Sequence, residues 1–145
     1  MGEFVKDDDG RVWYAPHWID HLGLTVHGYV TPDARIIESL DPLVRGAHAT
    51  PFNTGSIGFE LLVAGVHRSP SLREAMTGFP FPPAQLKVAA EWCGSIRGQH
   101  PTCDRWSTHH TLVPDRKMDP WLPGHITQTV FAGMMTSEGI AYAAQ

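Results

Sequence analysis

The sequence predicts a mixed α/β (α+β) fold: a central mixed β-sheet of about five strands flanked by helices, in a single domain over residues 1–145. Three stretches carry that expectation. Ser56 to Ala64 (SIGFELLVA) is a short apolar run bounded by Gly55 and Gly65, the pattern of a strand buried inside a sheet. Leu22 to Val30 and Arg35 to Leu40, separated by Pro32-Asp33, read as a hairpin rich in β-branched residues. Leu86, Ala89, Ala90, Cys93 and Ile96 recur at helical spacing behind Pro82 and Pro83, which a first helical turn tolerates.

The other elements follow in chain order. Residues 1–16 are polar and then aromatic, with a turn at Asp9-Gly10. Gly46 to Gly55 is a loop of small residues. Residues 66–81 form a longer loop holding Pro70, Pro80 and a short helical stretch near Leu72 to Met76. Gly98 ends the amphipathic helix. Residues 107–123 are irregular and Pro-rich, yet they carry His109, His110, Lys117 and Asp119, which is how a site held on a rigid scaffold reads. The tail from 124 to 145 has weak helical character. No repeat or flexible linker divides the chain.

Composition narrows the function. The 145 residues are 42% hydrophobic and 18% charged, which suits a packed globule and argues against disorder. Lys and Arg number 11 against 15 Asp and Glu, so a net charge of −4 argues against gripping nucleic acid through its phosphates. No apolar run reaches the ~18–20 residues of a membrane span. The start, with Asp7, Asp8 and Asp9, lacks the basic-then-apolar layout of a secretory leader, so synthesis in the cytosol is expected. Two cysteines, Cys93 and Cys103, fit a reduced compartment and not a disulfide scaffold. Nine histidines are the surplus that needs explaining.

Two groups of residues offer chemistry. Glu60 is the one ionisable residue in the Ser56–Ala64 run. Either strand alternation turns it to solvent, or burial raises its pKa toward the range of a general base. His109, Lys117 and Asp119 stand at His-x7-Lys-x-Asp. Imidazole and carboxylate are zinc ligands, and a catalytic zinc takes three protein ligands and one water. An ammonium two residues before the carboxylate could stabilise an oxyanion.

GAHA at 46–49, NTGSIGFEL at 53–61, FPPAQL at 81–86 and HHTLVPDRKMDP at 109–120 resemble one family in order and nearly in spacing. It is that of the zinc-dependent N-acetylmuramoyl-L-alanine amidases, whose fold peptidoglycan recognition proteins share. The similarity is strongest over 24–121 and to the branch whose last zinc ligand is aspartate. The resemblance implies zinc on His109 and Asp119, Glu60 as the acid that activates the zinc-bound water, and Lys117 beside the tetrahedral intermediate. It places His48 and His27 in or near the substrate groove without ligand roles; Trp121, beside Asp119, could wall that groove.

The family's first zinc ligand is a histidine that ends an N-terminal strand. The segment most similar to that strand, Glu3-Phe4-Val5, is followed here by Lys6 and Asp7, leaving His17 and His21 as candidates for that place. His67, His100 and His125 read as surface residues, His110 as turned away from its neighbour, and Cys93 as core. The implied function is hydrolysis of the amide between N-acetylmuramic acid and L-alanine in peptidoglycan or a muropeptide. A monomer is expected, with no nucleic-acid or membrane partner. A phage-type endolysin is the favoured setting and a cytosolic recycling enzyme the other. The reading from a different class is a peptidoglycan-binding pseudoenzyme with an incomplete zinc site.

Overall fold

The computed structural model describes residues 2–67, 80–121 and 124–144. The chain forms two compact units, residues 1–70 and 71–145. The short helical stretch expected near Leu72 to Met76 lies outside the described residues.

In the first unit, β1 (Gly2–Lys6) pairs antiparallel with β2 (Val12–Tyr14), with Phe4 opposite Tyr14. Asp7 builds the turn between them. Its Oδ1 accepts from the Arg11 N–H at 2.8 Å and its Oδ2 from Trp13 Nε1 at 2.8 Å, while Gly10 takes a φ of 84° that L side chains avoid. The Trp13 hydrogen bond in particular holds the Asp7 carboxyl below its ordinary value.

Helix α1 (Ala15–His21) begins with Pro16 in its first turn and closes where Gly23, at φ 70°, lets Leu24 N–H reach the Ile19 carbonyl. Its buried face, Ala15 and Ile19, packs with Val5, Val26, Tyr29 and Leu62. Each fully buried aliphatic side chain in such a cluster contributes roughly 1.5–3 kcal/mol.

Strand β3 (Gly28–Val30) pairs antiparallel with β4 (Ile36–Glu38) as the expected hairpin, shorter at its start than the sequence pattern suggests. The reason is local. Thr25 bridges to Ala47, which draws the chain before Gly28 to the 46–48 loop. The hairpin turn places Ala34 at φ 63°, a left-handed conformation that costs an L side chain. Ala34→Gly is expected to stabilise the protein by about 0.5–1 kcal/mol, the strain relief exceeding the added chain entropy. An unchanged or lower urea midpoint would contradict this.

The Ser56–Ala64 run is central, as expected, but interrupted. β5 (Phe59–Leu61) pairs parallel with β3, and β6 (Val63–His67) pairs parallel with β1. Leu62, fully buried, lies between them and donates its N–H to Val30. Two three-stranded sheets result, β2-β1-β6 and β4-β3-β5. Because β5 and β6 are consecutive, the five extended segments read across as β2, β1, the 59–67 segment, β3 and β4. That is the mixed sheet of about five strands, divided at Leu62.

The second unit is built on α2 (Pro83–Gln99), which packs on α4 (Ile126–Ser137). Leu86, Ala89, Ala90 and Ile96 are buried as expected; Trp92 joins them, and Cys93 is half-buried. Burial still pushes the Cys93 thiol up to about 12, so it remains protonated. The helix passes Gly98 and ends where the His100 N–H caps onto Ile96. A short parallel pair, β7 (Arg105–Trp106) with β8 (Ala141–Tyr142), and the one-turn helix α3 (His109–Leu112) complete the unit. Its aromatic core joins Trp106 and Phe131 at 5.0 Å with Trp121 and Phe131 at 6.1 Å.

Candidate functional site

In the second unit, the His-x7-Lys-x-Asp segment folds back on itself. Thr108, buried, caps α3 by accepting the Thr111 N–H at 3.2 Å. The helix presents His109 and His110, and the chain then turns at the buried Val113, whose carbonyl accepts the N–H groups of Arg116 and Lys117. This return brings His109 Nδ1 to 2.6 Å from Asp119 Oδ2, with the two side chains 18% and 31% exposed. Burial works to raise the Asp119 carboxyl, but the His109 hydrogen bond and the His109 and Lys117 charges outweigh it and hold it below its ordinary value. The Lys117 side chain is exposed.

Trp121, two residues on, takes a structural place. It is 1% exposed, packs against Phe81 and Phe131, and donates Nε1 to Gln128 Oε1 at 3.2 Å. The expected groove wall is a core residue, because the chain turns inward after Asp119.

In the first unit, Glu60 lies half-buried on β5 with Tyr29 of β3 as its register partner. Burial, and then the negative charges of Asp20 and Glu60, push the Tyr29 phenol up, so it stays protonated. His27 is likewise structural: it is 1% exposed and both ring nitrogens are engaged by backbone. Gly58 N–H donates to Nδ1 at 3.0 Å, which leaves the proton on Nε2 to be donated to the Val44 carbonyl at 2.8 Å.

His48 stands half-buried, edge-on to His27 at 5.6 Å and pressed against Gly46 and Gly58. Its loop is clasped by Asn53, whose Oδ1 accepts the N–H groups of both His48 and Ala49 and whose Nδ2 donates to Thr50. A Cβ added at Gly58 would lie 2.5 Å from the His48 ring. Gly58→Ala should therefore displace His48 and cost about 1–3 kcal/mol, the usual penalty of overpacking. Thermal melting and the shift of the His48 ring protons check this; a variant unchanged in both would refute the packing.

His17 and His21, the candidates for a third zinc ligand, are both exposed on α1. His17 packs edge-on to Tyr14 at 5.6 Å, and His21 stacks on Trp13 at 4.6 Å. Arg11 covers the Trp13 ring as well, at 3.9 Å from its centroid. Among the described residues no group of three His, Cys, Asp or Glu side chains is placed to hold a metal ion. The pair His109 and Asp119 has donors that zinc accepts, and a cation could replace the proton between them. The donor chemistry fits zinc at two positions out of three.

Sequence reasoning missed Asn53, Thr108 and Gly58 as the residues that hold these side chains. Only Thr108, three before Thr111 at a helix start, carries a signal that could have found it. No helix among the described residues is long and apolar enough to cross a membrane. The family model described as N-acetylmuramoyl-L-alanine amidase matches residues 4–122. No curated protein and no solved structure matches the chain.

Proposed function

Because the chain belongs to the N-acetylmuramoyl-L-alanine amidase family, we propose that it hydrolyses the amide between the lactyl group of N-acetylmuramic acid and L-alanine, using zinc. The observation that carries this reading is the His109–Asp119 contact at 2.6 Å inside the matched segment, with Lys117 two residues upstream. His109 and Asp119 are the proposed zinc donors. A bound zinc supplies a water of lowered pKa and a Lewis acid for the scissile carbonyl. His17 or His21 remains the proposal for a third donor, and either would have to leave its aromatic partner to serve.

The chain's own residues divide the remaining work. Glu60 takes the proton of the attacking water as the carbon–oxygen bond forms at the carbonyl. It then delivers that proton to the departing L-alanine nitrogen as the carbon–nitrogen bond breaks. Lys117 places its ammonium by the oxyanion, an interaction strongest in the transition state. The product pair is a muramoyl carboxylate and a peptide with a free L-alanine amino terminus.

The test is digestion of purified sacculi and of soluble muropeptides, with and without added zinc, read by mass spectrometry of new L-alanine amino termini. Release from intact sacculi supports the endolysin setting; release from soluble fragments alone supports recycling. No new amino terminus under any condition overturns the proposal.

A second reading, a muropeptide-binding domain without turnover, is favoured by Lys6, which stands after Glu3-Phe4-Val5 where the family pattern has a histidine. Muropeptide binding that survives a chelator, in a protein that never cleaves, would establish it.

A further inference from the structure

His110 belongs to none of the roles above, yet it is tied twice to the returning chain. Its backbone N–H donates to the Asp119 carbonyl at 3.1 Å, and its ring Nδ1 lies 2.8 Å from the Lys117 carbonyl. A carbonyl can only accept, so Nδ1 carries the proton and donates. The Lys117 N–H in turn donates to the Val113 carbonyl at 3.0 Å. Lys117 is thus held through its N–H and its C=O, and its exposed side chain leaves from a fixed base. Asp119 is held in a matching way, by its carboxylate on His109 and its carbonyl on His110.

We infer that His110 is a positioning residue: its Nδ1–H···O=C bond fixes the backbone from which the Lys117 ammonium projects and the irregular segment that presents Asp119 to His109. The inference rests on the amidase reading for the task that Lys117 performs, but the tie itself is a property of the fold. It predicts a particular kinetic fault. A side chain that acts on the developing oxyanion loses effect when its origin shifts by an ångström, while substrate binding elsewhere is untouched. Loss of the tie should therefore lower kcat and spare KM.

Three variants of the zinc-loaded protein separate the hydrogen bond from bulk. His110→Asn keeps an N–H at the Nδ1 position, His110→Gln moves it one methylene further out, and His110→Ala removes it. With muropeptides released from sacculi by a muramidase, His110→Ala is expected to lower kcat by about 10–100-fold with KM within about 3-fold. His110→Asn is expected to recover most of that loss, and His110→Gln little of it. Hydrogen exchange of the Lys117 amide gives a readout independent of turnover: faster in the Ala and Gln variants, restored in Asn. Wild-type kcat and wild-type exchange in His110→Ala would overturn the inference, as would an Asn variant as impaired as Ala. If His110→Ala fails to fold, the Asn-against-Gln comparison decides. If the wild-type protein cleaves nothing, the amidase reading falls, and the exchange experiment still decides the role of His110.

Discussion

Glu60→Gln is expected to lower muropeptide turnover by about two to four orders of magnitude, the usual worth of a positioned general base, with zinc content and melting temperature unchanged. Glutamine has the shape of glutamate and can still donate and accept hydrogen bonds, but it cannot take a proton from water. Glu60 is half-buried on β5, between Phe59 and the buried Leu61, and opposite Tyr29 across the ladder. An isosteric change there leaves the strand pairing and the Leu62 core contacts in place, so stability should hold. The measurement is kcat on soluble muropeptides, beside zinc per chain by elemental analysis and a thermal melt. Wild-type kcat in Glu60→Gln would remove Glu60 from the mechanism. A fall in activity matched by a fall in melting temperature would instead make it a structural residue.

The sheet around Glu60 was legible for a specific reason. An apolar run closed by Gly55 and Gly65 has few uses other than a covered strand, and the 59–67 segment does lie between β1 and β3. Its interruption at Leu62 was not legible, because it arises from pairing with two different strands whose sequences lie far away. Helix α2 showed in its 3.6-residue stripe, yet the pattern chose Cys93 where the packing chose Trp92, since an aromatic ring reaches a core from a flanking position. Helix α4 left only a faint trace. Its buried face is just Phe131 and Met135, one turn apart, and no charges mark the opposite side.

The site divides in the same way. His109 and Asp119 were paired by motif, and their contact is present within one folded-back segment. The resemblance sets His27 and Trp121 by the groove, and in the fold tertiary contacts bury both. The tautomer of His27 is fixed by the N–H of Gly58, 31 residues later, and Trp121 is claimed by Phe131 and Gln128. No local pattern encodes either event. His17 and His21, the alternatives for one ligand position, share one face of α1 by their spacing, and their rings lie against Tyr14 and Trp13, aromatic neighbours on successive residues of β2.

Asp119→Asn should weaken zinc binding by more than about 100-fold, since even an outer-shell partner of a metal site is worth about 10–100-fold, and should take turnover down with it. The amide keeps the size of the carboxylate and can still face His109, but it brings no negative charge to a cation. Zinc titration followed by calorimetry checks the first effect; an Asn variant that binds zinc as the wild type does would remove Asp119 from the metal site. The same substitution has a second signature in metal-free protein. The Asp119 carboxyl is held below its ordinary value in the folded chain, so the unfolded chain binds the proton more readily. Stability from this pair is therefore fully present above the ordinary carboxylate pKa and is lost as pH falls through the lowered folded value. Wild-type metal-free protein should lose stability on that acid limb, and Asp119→Asn should lose less of it. The two effects share one cause: the ionised carboxylate that His109 and Lys117 favour is the form a cation takes, and the same partners give the metal-free fold stability that acid removes.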